Sequence, residues 1–329
     1  MRISIMILVI LSPGYLLHAQ NDNYLRDHPG KLNHKFTTHD MSEVNLKFTK
    51  AEEQLVKSKL EAIVRYMQSS DGFSNPKGVE IYAHSELCDQ SPLVPWLNSL
   101  TSKIYVEFHP WFMDNGEPKS RCGECSVYFT IHINKPEYVF YGTSLANGGD
   151  LFDTDGALIN AEPAKIVEQD GAILYENGII VISKPGKPVW LPMTVRQYDN
   201  LLLERQKKMI KEKPEESFTY QFFMDKLKEE MSSFSETELD KPAYQYGFGG
   251  SPNATEGMKP IVKLNKAYFD QSKPRSAVQL IIIEYGGLQN MPEDPYLLTE
   301  YSTYQHIKLV EALRVFKYSG LRDLIDKNP

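Results

Sequence analysis

The chain has 329 residues, 41% of them apolar and 24% charged, which are the proportions of a folded globular protein and exclude a disordered chain. Its formal net charge of -7 has the wrong sign for neutralising nucleic-acid phosphates or anionic lipid headgroups, which speaks against nucleic acid and charged membrane surfaces as partners. Beyond the N-terminus no apolar run reaches the ~18 residues of a membrane span.

Residues 1–19 read as a cleavable export signal. Arg2 supplies the positive charge, Ile3 to Leu11 form an apolar stretch too short to span a bilayer, and Ala19 is the small residue before the cut. Cleavage there predicts a periplasmic or secreted protein. Residues 20–48 are polar, contain His28, His34 and His39 without periodicity, and are expected to form a loose arm.

The first element begins at Thr49, where Thr49-x-x-Glu52 is a capping box that satisfies free backbone N–H groups reciprocally. Val56, Leu60, Ile63, Val64 and Met67 then fall on one face of a helix predicted over 50–68. Strands are predicted at 78–83, 103–109 and 126–134, the last two being an antiparallel pair with His109 opposite Ser126. Asn177-Gly178 between two apolar runs predicts a hairpin over 172–183 with a type I′ turn.

Thr194-x-x-Gln197 caps a second helix to about Lys211, with Val195, Tyr198, Leu202 and Met209 as its buried stripe, and Pro214 ends it. A third helix is expected over 219–234. Strands at 260–264 and 276–284 follow, and then a helix over 297–318 with Gly320 at its C′ position. These elements predict an α+β fold, an antiparallel sheet with packed helices. The composition shift at Lys184–Pro188 suggests two lobes, an α+β N-terminal lobe over 49–187 with antiparallel strands and a helix-rich C-terminal lobe over 188–329 with a strand pair. A single mixed domain is the alternative, because the C-terminal strands can join the N-terminal sheet.

Several constellations bear on chemistry. Cys122-x-x-Cys125, in an exported chain, is a candidate local disulfide. No cofactor is expected from it. The alternative is zinc held by Cys88, His109, Cys122 and Cys125, a thiolate-rich set of the kind zinc favours. Glu107 and His109 alternate onto one strand face, as acid/base partners do, but no third member is apparent and a solvent-facing pair is the plainer reading. Trp190, Tyr244, Tyr246 and Phe248, the last three in a Gly-rich loop, offer flat faces to a sugar or peptide and are the candidate ligand-binding residues.

The stretch Leu151-Phe152-Asp153-Thr154-Asp155-Gly156-Ala157-Leu158 resembles the first motif of haloacid-dehalogenase-type phosphatases, which implies Asp153 as nucleophile and Asp155 as acid/base with Mg²⁺. That family places its aspartates after a buried parallel strand. Here a turn-like Ala146-Asn147-Gly148-Gly149-Asp150 precedes them, so the residues themselves support an acidic turn. The segment from Lys187 to Thr194, followed by Arg196, Gln197 and Tyr198, is similar to a stretch of uncharacterised exported bacterial proteins that run apolar-Pro-Val-Thr into a helix, with Met193 where they have Val. That resemblance implies export and no activity. The expectation is a non-enzymatic role in binding a small molecule, glycan or protein, with a hydrolase assembled from scattered residues as the alternative.

Overall fold

A computed structural model describes residues 24–37, 48–88, 93–121, 127–140, 151–286 and 304–326. The expected signal segment and both Cys122 and Cys125 lie outside the described residues. The elements in chain order are β1 (Leu32–Thr37), α1 (Lys50–Ser69), β2 (Val79–Cys88), β3 (Thr101–Asp114), β4 (Glu117–Ser120) and β5 (Val127–Ile133). Next come β6 (Leu151–Phe152), β7 (Leu158–Ala161), β8 (Lys165–Gln169), β9 (Ala172–Tyr175), β10 (Ile179–Ile182) and β11 (Trp190–Pro192). Then follow α2 (Val195–Glu212), α3 (Ser217–Ser232), α4 (Glu236–Leu239), β12 (Tyr244–Tyr246), β13 (Gly249–Ser251), β14 (Ile261–Leu264), β15 (Ile281–Gly286), α5 (Tyr304–Val315) and α6 (Tyr318–Arg322).

Local signals act as the chain predicts. The Thr49 hydroxyl accepts from the Glu52 N–H at 3.1 Å, while the Glu52 carboxylate accepts from the Thr49 N–H at 2.7 Å. All five residues of the expected α1 stripe are buried. The Thr194–Gln197 box opens α2 in the same way, with Val195, Tyr198 and Leu202 buried and Met209 only half-buried. β3 and β5 pair antiparallel with Phe108 opposite Val127, while Ser126, expected opposite His109, lies outside the described residues.

Among the described residues the chain builds an α+β architecture of four layers. A nine-stranded sheet runs β1-β2-β3-β5-β15-β10-β9-β8, with β4 paired to β3. Helices α1, α5 and α6 bury one face of it around Ile63, Ile104, Phe129, Ile283 and Leu309. Against the other face, but only along β9, β10 and β15, packs a four-stranded sheet β11-β14-β7-β6, through Tyr175, Val181, Val262, Leu264 and Ile282. The outer face of that small sheet carries α2 and α3 by way of Ile159, Ile261, Tyr198 and Leu227. β15, from the C-terminal half, lies between β5 and β10, so the two chain halves expected as lobes share a sheet.

Four local expectations are corrected. Residues 32–37, expected within a loose arm, form β1 parallel to β2. Glu80 holds that edge, accepting from the Lys31 N–H at 3.1 Å and the Asn33 amide at 2.6 Å. At Asn177-Gly178 only the glycine has positive φ (77°), the Gly178 N–H donates to the Tyr175 carbonyl at 3.1 Å, and Ile180 sits opposite Leu174. This is a type I turn closed by a left-handed glycine, not a type I′ turn. The I′ conformation occurs instead at Asn115-Gly116 (φ 54° and 82°), joining β3 to β4, and at Asp170-Gly171 (φ 54° and 83°), joining β8 to β9.

Residues 297–303 of the final expected helix lie outside the described residues; the helix breaks after Val315, and Gly320 lies within α6, not at a C′ position. A Cβ on Gly320 would stand 2.1 Å from the Tyr66 ring, so close packing of α6 on α1 is what requires glycine there. Tyr66 is itself held edge-on against Phe316 at 5.5 Å. Gly320→Ala is therefore expected to destabilise the protein by about 1–3 kcal/mol through overpacking, read as a lower midpoint in urea with unchanged slope.

Candidate functional site

Among the described residues, the small sheet leaves the β1-β2-β3-β5 half of the large sheet without a second sheet over it. Strand alternation sends Ile104, Val106 and Phe108 of β3 under the helices and Tyr105, Glu107 and His109 to the opposite face. The β2 and β5 registers bring Tyr82 and Tyr128 to either side of Glu107. On this open face stand tyrosines, histidines and glutamates instead of the aliphatic residues of the covered half.

Glu107 is the centre of the arrangement. Its Oε2 lies 3.8 Å from His84 Nε2 and 3.7 Å from His109 Nε2, within ion-pair range and beyond a hydrogen bond. The Glu107 and His109 side chains are 18% and 16% exposed, so the pair expected to face solvent is largely withdrawn from it. The Tyr82 ring leans on His109 at 4.6 Å, and Tyr105 on Tyr128 at 4.5 Å, so a ring pair flanks Glu107 on each side. Burial pushes the His109 pKa below its usual value, with the Glu107 charge opposing. Its Nε2 is buried and makes no hydrogen bond.

A second carboxylate–histidine pair lies farther along the same face. His132 Nε2 is 2.7 Å from Glu284 Oε2, and its ring stacks on Tyr138 at 3.6 Å. Burial lowers the His132 pKa and the Glu284 hydrogen bond counters it. Lys103 is paired with Glu86 on the neighbouring strand.

The other candidate residues are not brought together. Cys88 pairs with Thr101 at one end of the β2–β3 ladder and His109 with Glu80 at the other. Eight residues of strand separate Thr101 from His109, about 26 Å. A zinc set containing both Cys88 and His109 cannot close around one ion, and Cys122 and Cys125 lie outside the described residues. No group of three His, Cys, Asp or Glu side chains among the described residues is arranged to hold a metal ion.

Trp190 is 8% exposed and packs between the two sheets, its ring 4.5 Å from Phe140. Tyr244, Tyr246 and Phe248 sit in a different layer, on the β12–β13 hairpin over α2 and α3. Phe248 contacts Phe222 and Phe223 at 6.1 and 5.7 Å, while Tyr246 is 57% exposed. The hairpin glycines serve close approach: a Cβ on Gly249 would lie 2.5 Å from the Leu227 side chain and 2.6 Å from Asp199 Oδ1. Asp199, which sequence reading passed over, is buried in the α2 stripe and accepts from the Gly250 N–H at 2.8 Å. Burial pushes its pKa up to about 7, with the Gly250 N–H opposing and Glu230 adding to the rise.

The phosphatase-like motif forms an acidic turn. Asp153 Oδ1 accepts from the Asp155 and Ala157 N–H groups at 3.0 and 2.8 Å, and β6 pairs antiparallel with β7. β10, which would supply that family's second motif, is antiparallel to both its neighbours. The nucleophile geometry of a parallel strand end is absent here.

Comparison of the chain with known protein families, with curated proteins and with solved structures gave no match. No described helix is long and apolar enough to cross a membrane.

Proposed function

We propose that this is an exported, non-enzymatic binding protein whose ligand lies on the open half of the large sheet, over Tyr82, Tyr105, Glu107, His109 and Tyr128. The observation that carries the reading is a half-buried carboxylate set between two ring pairs on a sheet face that no second sheet covers among the described residues. Tyrosines supply wide, rigid contact area at low entropic cost, and a single withdrawn carboxylate orients what they hold. Export is supported by Arg2, the apolar stretch after it and Ala19. The Asp153 carboxylate, which the phosphatase-like motif would use as nucleophile, is engaged by its own turn, accepting from the Asp155 and Ala157 N–H groups.

The test is a fragment and metabolite screen by thermal shift on the exported chain, with hits titrated calorimetrically. Tyr128→Ala is expected to weaken the best hit by tenfold or more, while Tyr246→Ala on the distant hairpin leaves it unchanged. Turnover of an ester, phosphate, peptide or glycoside that disappears in His109→Ala would instead make the protein a hydrolase. Mass spectrometry is expected to find Gln20 as the mature N-terminus, and an intact Met1 in a cytosolic fraction would remove the export reading.

A further inference from the structure

The surroundings of Glu107 define the kind of group that complements it. A carboxylate withdrawn from water needs a counter-charge or donors to offset its lost hydration. Among the described residues, the ion-pair neighbours of Glu107 are His84 and His109 alone, at 3.8 and 3.7 Å. Burial pushes the His109 pKa below its usual value, which disfavours its charged form. Lys103, the lysine of β3 on this face, is engaged by Glu86. Glu80, the nearest acid on β2, is occupied in holding β1 through Lys31 and Asn33.

The walls around this carboxylate are aromatic. Tyr82 stands across one strand boundary and Tyr128 across the other, and each is backed by a second ring, His109 and Tyr105. Ring faces carry negative electrostatic potential, so rings gathered about an acid favour a cation with apolar surface over a bare metal ion, which would need further hard donors. Among the described residues no lysine or arginine is seated over Tyr82 or Tyr128.

From this juxtaposition we infer that the open face takes an alkylammonium group of its ligand, with the charge on Glu107 and the alkyl surface against Tyr82, Tyr105 and Tyr128. The inference rests on reading this face as a binding site and specifies the chemistry of its occupant.

The experiment is calorimetric titration of the exported chain with choline and n-butylammonium chlorides, each against its uncharged counterpart, the tert-butyl analogue of choline and pentanol, at matched ionic strength. At least one ammonium is expected to bind about tenfold more tightly than its counterpart. Glu107→Gln and Tyr128→Leu, the second keeping apolar bulk without the ring, are each expected to reduce that affinity by about tenfold. Equal binding of charged and uncharged probes, or undiminished affinity in Glu107→Gln, overturns the inference. Should either variant fail to fold, the paired probes on the unaltered chain decide alone. If no ammonium binds but a hit from the general screen is lost in Tyr128→Ala, the ammonium inference fails and the binding face stands. If no compound in either series is sensitive to these residues, both fail.

Discussion

Phe73→Ala is expected to cost about 3–5 kcal/mol, the range for deleting a buried aromatic ring from a core that cannot collapse around the space. Phe73 is 1% exposed and lies just after α1. Its ring meets Phe108 of β3 at 6.4 Å, Phe129 of β5 at 6.0 Å and Phe316 between α5 and α6 at 5.3 Å, each edge-on. Two of those partners sit on paired strands of the large sheet and the third on the α5–α6 connection, so no single shift fills the vacated volume. Edge-to-face contacts contribute about 0.5–1.5 kcal/mol each beyond the area they bury. A loss of this size is a large fraction of the ~5–15 kcal/mol that keeps a domain folded. Urea denaturation of the variant measures it. A change below about 1 kcal/mol would mean that α5 and α6 do not close over the sheet at this point.

Asp199→Asn is expected to make stability less dependent on pH, and the sign follows from the direction of the shift. The Asp199 carboxyl is pushed up to about 7 from an ordinary 3.8, mainly by burial. Below the ordinary value both folded and unfolded chains hold the proton, and the residue costs nothing extra. As the pH rises through the window between those values, the unfolded chain releases a proton that the folded chain keeps, so stability falls and then levels off above about 7. The loss is on the order of 4 kcal/mol at most, at 1.36 kcal/mol per unit. Asparagine cannot ionise, so its stability difference between about pH 4 and about pH 8 should be smaller than that of the parent by a few kcal/mol. Any cost of the new amide N–H is the same at both pH values, which makes the difference the informative quantity. Hydrogen exchange supplies an independent reading. Where the Gly250 amide, which donates to Asp199, exchanges through global unfolding, its protection should fall in the parent chain between about pH 4 and about pH 7 and fall less in the variant. Identical pH profiles for the two chains would show that Asp199 is ionised in the folded state at neutral pH.

What was legible in the sequence is what neighbouring residues decide among themselves. The capping boxes at Thr49 and Thr194 need only residues three apart, and both open the helices they mark. The buried stripe of α1 and the alternation that sends Glu107 and His109 to one face follow from the helical and strand periods alone. The glycines at Asn115-Gly116 and Asp170-Gly171 carried the type I′ signature in plain view, but Pro118 and the charged residues beside them obscured the flanking strands. At Asn177-Gly178 the same dipeptide took another turn, because the β9–β10 register leaves three residues in the connection and not two.

Only the tertiary structure could decide which distant strands pair. β1 is held by Glu80 across a long sequence interval, and β15 enters the sheet between strands from the N-terminal half. Gly320 is glycine because of a ring on α1, and Asp199 has its raised pKa because a hairpin made fifty residues later closes over it. The candidate site has the same origin. Glu107 and His109 were visible as a pair two residues apart, whereas Tyr82, His84 and Tyr128 reach them from two other strands. Periodicity dictates which face a residue takes, but the neighbours it meets there depend on strand register, and register is settled by burying one whole face of the sheet at once.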